Sequence, residues 1–374
     1  ADSPLPPRTT SAPRFDAMPT VLTLGNFDGV HRGHRAILET ARRVAEPRQA
    51  RVRVLTFDPH PAAILRPGSE PPRILTLAQR RERLRQAGAD EVEVLETTPE
   101  LLATEPDDFV KQLVQRHDPL AFVEGEGFRF GKARRGDLDL LRELGGELGF
   151  DVHVQPPLTL CLTTPCEVRA SSTLVRRLVG HGRILDAAHV LGEPFSLTAP
   201  VVEGERRGRT LGTPTANLDP DTLADFIVPA DGVYAGTAEI LPDPGAIASA
   251  AHTYPTPAVA ASAAHASERN QTLASSASAA IDPSSPQPSF PAAISVGIKP
   301  TFGHDRLTVE AHLLGYAPPG GESLYGQTLR LRFARWLRDQ YAFPGKDALQ
   351  HQLRRDVAKA RKLAHADTPT ARSA

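Results

Sequence analysis

Apolar and polar positions follow two rhythms along this chain, and the rhythm changes near Gly192. From Val21 to about Gln155, apolar runs of strand length are each followed by a stretch with apolar residues every three or four positions. The pairs are VLTL then HRAILETARRVA, RVRVLTF then LTLAQRRERLRQAG, EVEVLE then DDFVKQLVQRH, and LAFVEG then DLDLLRELGGELG, with DVHVQ last. Strands alternating with helices of about ten to fifteen residues predict βαβ units and a parallel sheet. SSTLVRRLVGHGRILDAAHVLG extends this α/β domain by two helices, the first opening on a Ser/Thr cap and the second closing at Gly192.

Beyond Gly192 the apolar residues recur every second position between Gly, Pro and Asp: FSLTAPVVEG, RTLGTPTANL, DGVYAGTAEI, PAAISVGI, RLTVEAHLLG and LRLRFARWL. That period predicts an antiparallel barrel or sandwich. The stretch GKDALQHQLRRDVAKARKLAHA then reads as a basic amphipathic helix. Residues 242–291 interrupt the second domain with a run of Ala, Ser, Pro and Thr too poor in large apolar side chains to offset the entropy of ordering. They are expected to form a disordered loop between two strands, which costs little because closure entropy grows only logarithmically with length. With 1–18 as a flexible start and 366–374 as a tail, the domains are expected at 19–190 and 191–365.

Composition narrows the function classes. The 374 residues suffice for two cores, and a net charge of -1 gives no general attraction to polyanions, so nucleic acid is not an expected partner. No run approaches the apolar length of a membrane span, and Cys161 and Cys166 stand without a second pair to complete a zinc site. The expectation is a cytoplasmic protein with free thiols; nothing in the sequence supports a homo-oligomer.

Chemistry concentrates in TLGNFDGVHRGH at 23–34, directly behind the first predicted strand. In parallel α/β sheets ligands bind at the carboxyl ends of strands. Gly25, Gly29 and Gly33 let backbone approach an anion beside a helix N-terminus, with Asn26 and Asp28 among them. His31 and His34, three apart on a first helical turn, face one way as two protonatable donors suited to phosphates. A metal site and simple helix capping are the alternatives. A second anion corner is ASSTLVRR at 170–177, where Ser171, Ser172 and Thr173 open a helix and Arg176 follows one turn later.

In the second domain VVEGERRGRTLGTPTANL offers Gly204, Gly208 and Gly212 for tight turns near phosphate, with Thr210 between them. Thr215 and Asn217 there are neutral oxygen ligands suited to Mg²⁺. A plain β-turn is the other reading. Glu310, in TVEAHLLGY, shares a strand face with Thr308 and His312, as a base or as an ordinary solvent-facing glutamate.

TLGNFDGVHRGH, TFDPHP, FRFGKARRGD and SSTLVR resemble the FAD synthetase half of the prokaryotic bifunctional riboflavin kinase/FAD synthetase family, one of the HxGH nucleotidyltransferases. GRTLGTPTANL, DGVYAG, SVGIKPTFG, VEAHLLGY and LYGQTLRL resemble its riboflavin kinase half, a six-stranded Greek-key barrel. The resemblance implies transfer of AMP from ATP to FMN with release of pyrophosphate. His31 and His34 would stabilise the triphosphate, and Ser172, Thr173 and Arg176 would form a second phosphate clamp. It implies a kinase step in which Thr215 and Asn217 hold Mg²⁺ and ATP phosphates while Glu310 takes the proton from the riboflavin 5′-hydroxyl. ATP, riboflavin, FMN and FAD are the implied small molecules. Two positions depart from the family pattern: Gly127 stands where Asn or Asp precedes FRFG, and Thr213 where Phe is usual. Two other functions fit the same residues, a riboflavin kinase with weakened or lost adenylyl transfer and a non-catalytic flavin or nucleotide sensor.

Overall fold

The computed structural model describes residues 18–164, 166–203, 215–241, 289–301, 304–316, 324–341, 343 and 346–366. The expected flexible start up to residue 17, most of the 242–291 segment, and Gly204, Gly208, Thr210, Gly212 and Thr213 lie outside them. Two compact units are present, Ala1–Phe195 with Leu223–Ala230, and Ser196–Thr222 with Asp231–Ala374. The first unit runs to Phe195, and the return segment Leu223–Ala230 joins it. Its Phe226 bridges Arg73, and the Ile227 amide donates to the Arg73 carbonyl.

The first unit runs β1 (Thr20–Gly25), α1 (Arg32–Ala45), β2 (Arg51–Asp58), α2 (Pro61–Leu65), α3 (Leu77–Gln86), β3 (Glu91–Glu96), α4 (Pro99–Ala103), α5 (Pro106–His117) and β4 (Pro119–Gly125). It continues through α6 (Leu138–Leu148), β5 (Asp151–Gln155), the hairpin β6 (Thr159–Cys161) and β7 (Glu167–Arg169), α7 (Ser172–Gly180) and α8 (Ile184–Leu191). The five main strands lie in the order β3-β2-β1-β4-β5 and every pair is parallel, as the alternating pattern predicts. The order reverses between β1 and β4, which places a ligand crevice at their carboxyl ends. One sheet face buries Leu22, Leu24, Leu55 and Phe122 against Phe109 and Leu113 of α5 and Leu141 and Leu144 of α6. Burying each such side chain fully stabilises by about 1.5–3 kcal/mol. Cys161 and Cys166 are free, as expected.

After α8 the chain forms β8 (Phe195–Val202), β9 (Ala216–Leu218), α9 (Pro220–Leu223), β10 (Gly232–Leu241), β11 (Ser289–Thr301), β12 (His304–Leu313), β13 (Thr328–Arg338) and α10 (Lys346–Ala366), and the second unit takes all of them but Phe195 and Leu223. The six strands close a barrel in the order β10-β11-β12-β9-β8-β13. Alternation decides the faces: in β13 Leu329, Leu331 and Phe333 are wholly buried while Arg330 and Arg332 point out to Glu239 of β10. Strand β11 starts at Ser289, so the last three residues of the expected 242–291 loop are strand, with Phe290 paired to Ala238. Helix α10 packs on the barrel through Val357, Ala360 and Leu363. It is pinned by Asp356, 1% exposed, which accepts from Nε and Nη2 of Arg338 at 3.0 and 2.7 Å.

Candidate active site

The turn after β1 is built on backbone conformations that side chains rarely adopt. Phe27 has φ 48°, Gly29 85° and Val30 41°. A left-handed β-branched residue costs of order 1 kcal/mol and survives only where its surroundings dictate it. Here Phe27 is 2% and Val30 0% exposed, and the Val30 carbonyl accepts from Arg35 Nε at 3.2 Å. The sharp turn ends at His31, the N-cap of α1, whose Nδ1 accepts the His34 amide hydrogen at 3.3 Å.

The two imidazoles stack, with centroids 3.6 Å apart and planes 19° from parallel, and Phe27 meets His34 edge-on at 5.1 Å. The capping reading holds without excluding the ligand reading: His31 caps the helix with Nδ1, which leaves its proton on Nε2. Gly33 makes this possible, since a Cβ there would lie 3.1 Å from the His31 ring. Burial, reinforced by the Arg176 charge, brings the His31 pKa down to about 4, and burial beside His31 holds His34 well below the usual value. Both shifts favour the neutral imidazole. His34 Nδ1 and Asn26 Oδ1 are buried and make no hydrogen bond among the described residues, as at a surface that a ligand completes.

The two anion corners meet through Asp28. Its carboxylate, expected to serve the nucleotide, accepts instead from the Ile74 and Leu75 amides and from Arg176 Nη2 at 2.6 Å. A carboxylate so engaged holds the arginine in place. The same guanidinium donates from Nε to the Pro72 carbonyl at 2.7 Å, and Ser172 Oγ donates to the Asp28 carbonyl at 2.7 Å. Ser171 caps α7 through the Leu174 amide, and Thr173 lies exposed on its first turn. Gly25 ends β1, where a Cβ would press within 3.2 Å of the Phe27 ring.

Several residues of the site escaped the motif reading. Arg80, 7% exposed, donates to the Asn26 carbonyl at 2.9 Å and to Asp58 at 2.9 Å. His60 caps α2 and faces the Asn26 amide at 3.0 Å. TFDPHP contained both Asp58 and His60, whereas nothing in RRERLRQ distinguishes Arg80 from the other arginines of α3. Gly127 lies in the turn after β4, where a Cβ would meet only Arg169 Nη2, 3.9 Å away, so the backbone does not require glycine there.

On the barrel, Glu310 of β12 stands directly opposite Asn217 of β9 on one side and Ser295 of β11 on the other. Val309 and Ala311 are buried on either side of Glu310, and Ala216 and Leu218 on either side of Asn217. Both polar residues therefore share the outer face, with Thr308 and His312 as alternation predicts, and Thr215 comes two residues before Asn217. Gln340 crosses this face, donating from Nε2 to Ser295 Oγ and to the Val296 carbonyl, both at 2.8 Å. Neighbouring strands thus place a carboxylate beside two neutral oxygen donors.

Comparison with known proteins accounts for both units. A family model for FAD synthetase matches residues 15–166, and one for riboflavin kinase matches 191–364. The bifunctional riboflavin kinase/FMN adenylyltransferase of Escherichia coli (strain K12) is 31% identical over 346 residues, covering 92% of each chain. The chain belongs to the bifunctional riboflavin kinase/FMN adenylyltransferase family. Another member, from Pseudomonas fluorescens, is 30% identical over 346 residues, 92% of this chain and 93% of its own. Among solved structures, a protein described as a macrolide-efflux protein from Streptococcus pneumoniae superposes with a TM-score of 0.70 at 24% identity, covering 93% of this chain and 95% of that one. That likeness concerns the fold alone. No described helix is long and apolar enough to cross a membrane. Within the family frame, the first unit is the adenylyltransferase half and the barrel the kinase half.

Proposed function

We propose that this protein makes FMN from riboflavin and ATP on its barrel, and FAD from FMN and ATP on its α/β unit. The observation that carries the reading is the similarity across both units at once, over 92% of the chain. In the first reaction Glu310 accepts the proton of the riboflavin 5′-hydroxyl as its oxygen bonds to the γ-phosphorus and ADP leaves. Thr215 and Asn217 would hold Mg²⁺ together with ATP phosphate oxygens. A hydroxyl and an amide oxygen beside a carboxylate form the hard donor set that ion prefers, and bound Mg²⁺ would neutralise charge building on the phosphates.

In the second reaction an FMN phosphate oxygen bonds to the α-phosphorus of ATP and the bond to the β-phosphate oxygen breaks, releasing pyrophosphate. His31 and His34 donate to the triphosphate, and its charge favours their protonation as it arrives, while Arg176, held by Asp28, clamps it from α7. The Gly and Thr residues at 208–212 are assigned to ATP phosphates on the barrel, Gly25, Asn26 and Gly33 to the nucleotide on the α/β unit, and the setting is cytoplasmic. The convergence of His31, His34 and Arg176, and a base beside metal ligands at Glu310, speak against a sensor, since binding alone needs no base.

Steady-state assay of Glu310→Gln tests the kinase assignment. FMN formation is expected to fall by about a hundredfold or more, while FAD formation from supplied FMN stays unchanged. Undiminished FMN formation would defeat the role given to Glu310.

A further inference from the structure

Strand β1 pairs with β2 along its whole length, from Thr20 to Gly25, but with β4 only from Thr20 to Leu22. Its ladder to β4 ends at the point where the strand order reverses, and the turn that leads to His31 and the start of α1 hangs from that end. Separation of two inner strands strands a backbone donor: the Leu24 N–H points toward β4 beyond the last ladder pair. Glu124, near the end of β4, accepts that hydrogen on Oε1 at 2.8 Å.

The choice of residue is unusual. Glu124 is 1% exposed and Leu24 4%, and among the described residues no cation pairs with the carboxyl. Burial pushes the carboxyl well above the usual carboxylate range. An unpaired buried acid is costly. An apolar residue would remove that cost but would leave the Leu24 amide without an acceptor and let β1 close on β4 or drift.

We propose that Glu124 is a positioning residue for adenylyl transfer: its side chain stands in for a β4 carbonyl, holds β1 apart from β4, and fixes where Gly25 delivers the His31–His34 turn. This rests on the adenylyltransferase reading of the first unit. Full-length Glu124→Gln and Glu124→Leu are compared with the unaltered chain for FAD formation from FMN and ATP, for FMN formation from riboflavin, and for thermal unfolding. Glutamine keeps an acceptor oxygen, so its kcat for FAD formation is expected within about twofold of the unaltered chain. Leucine is expected to lower that kcat by about tenfold, the equivalent of one lost buried hydrogen bond, with the KM for ATP little changed and FMN formation intact. Two results would overturn the proposal: Glu124→Leu that loses only unfolding temperature and keeps kcat, or Glu124→Gln that falls as far as leucine. If the unaltered chain forms no FAD, the parent reading fails and this one with it; a defect confined to the leucine variant supports both.

Discussion

Replacing Gly33 with alanine sets helix stability against imidazole placement. Gly33 lies in the first turn of α1, where alanine is intrinsically favoured over glycine by about 1 kcal/mol. The added Cβ, however, would sit 3.1 Å from Cε1 and Nδ1 of His31 and 3.4 Å from the Ala170 Cβ. The ring has little room to yield: it is 5% exposed, stacks on His34 at 3.6 Å, and is tied through Nδ1 to the His34 amide. Relief requires the imidazole to move by roughly a few tenths of an ångström. Misplacement by about 1 Å near reacting atoms costs on the order of a hundredfold, so the smaller shift is expected to lower kcat for FAD formation by about tenfold. Thermal unfolding should be unchanged or raised, and FMN formation from riboflavin, which uses the barrel, should serve as an unaffected control. Steady-state FAD formation and a thermal melt on the same preparation decide it. Full FAD activity in Gly33→Ala would refute the claim that contact with this glycine sets the position of His31.

The folded state keeps His31 neutral down to a pKa of about 4 against 6.5 in the unfolded chain, so its contribution is fully present above pH 6.5 and is lost as pH falls toward 4. That loss amounts to about 3 kcal/mol, and His31→Gln should flatten the acid limb of a denaturation series; an unchanged limb would contradict the burial argument. Gly127→Asn should leave stability within about 0.5 kcal/mol and FAD formation equal or higher, because the position is open toward Arg169; a large stability loss in a denaturant melt would show that it is not. Asp356→Ala strands the Arg338 guanidinium beneath α10 and should destabilise the barrel by about 3–5 kcal/mol, and a denaturant midpoint that hardly moves would refute the pinning of α10.

Local pattern carried the elements whose residues all face one environment. Strand β3 occupies the six residues of EVEVLE, and α5 begins one residue before the DDFVKQLVQRH pattern, because nothing in those segments competes with the period. The hairpin β6–β7, three residues a strand, is too short to show a period at all. Partnerships across the chain were least legible. Asp28 sits in a glycine-rich anion motif, and only the fold reveals that the Ile74 and Leu75 amides and Arg176 claim its oxygens. Nothing in the helical period of LTLAQRRERLRQAG marks Arg80 and Arg83, which Asp58 and Glu193 draw inside. Glu124 carried a signal that motif reading passed over: one acid in the apolar run LAFVEG, at the end of a strand beside the crevice.

In an ordinary hairpin the turn dictates which residues face each other. Strands β10 and β11 are neighbours in register from Gly232 opposite Val296 to Glu239 opposite Ser289, although residues 242–288 separate them in sequence. Their alignment must come from the strands themselves, from Tyr234, Ala235, Ile294 and Val296, each wholly buried. The two ends of the intervening segment are consequently moored at one place on the barrel rim, however long it becomes. A change in the length of the sequence between Leu241 and Ser289 is therefore expected to leave unaltered which residues pair, and a barrel circularly permuted there is expected to keep its register.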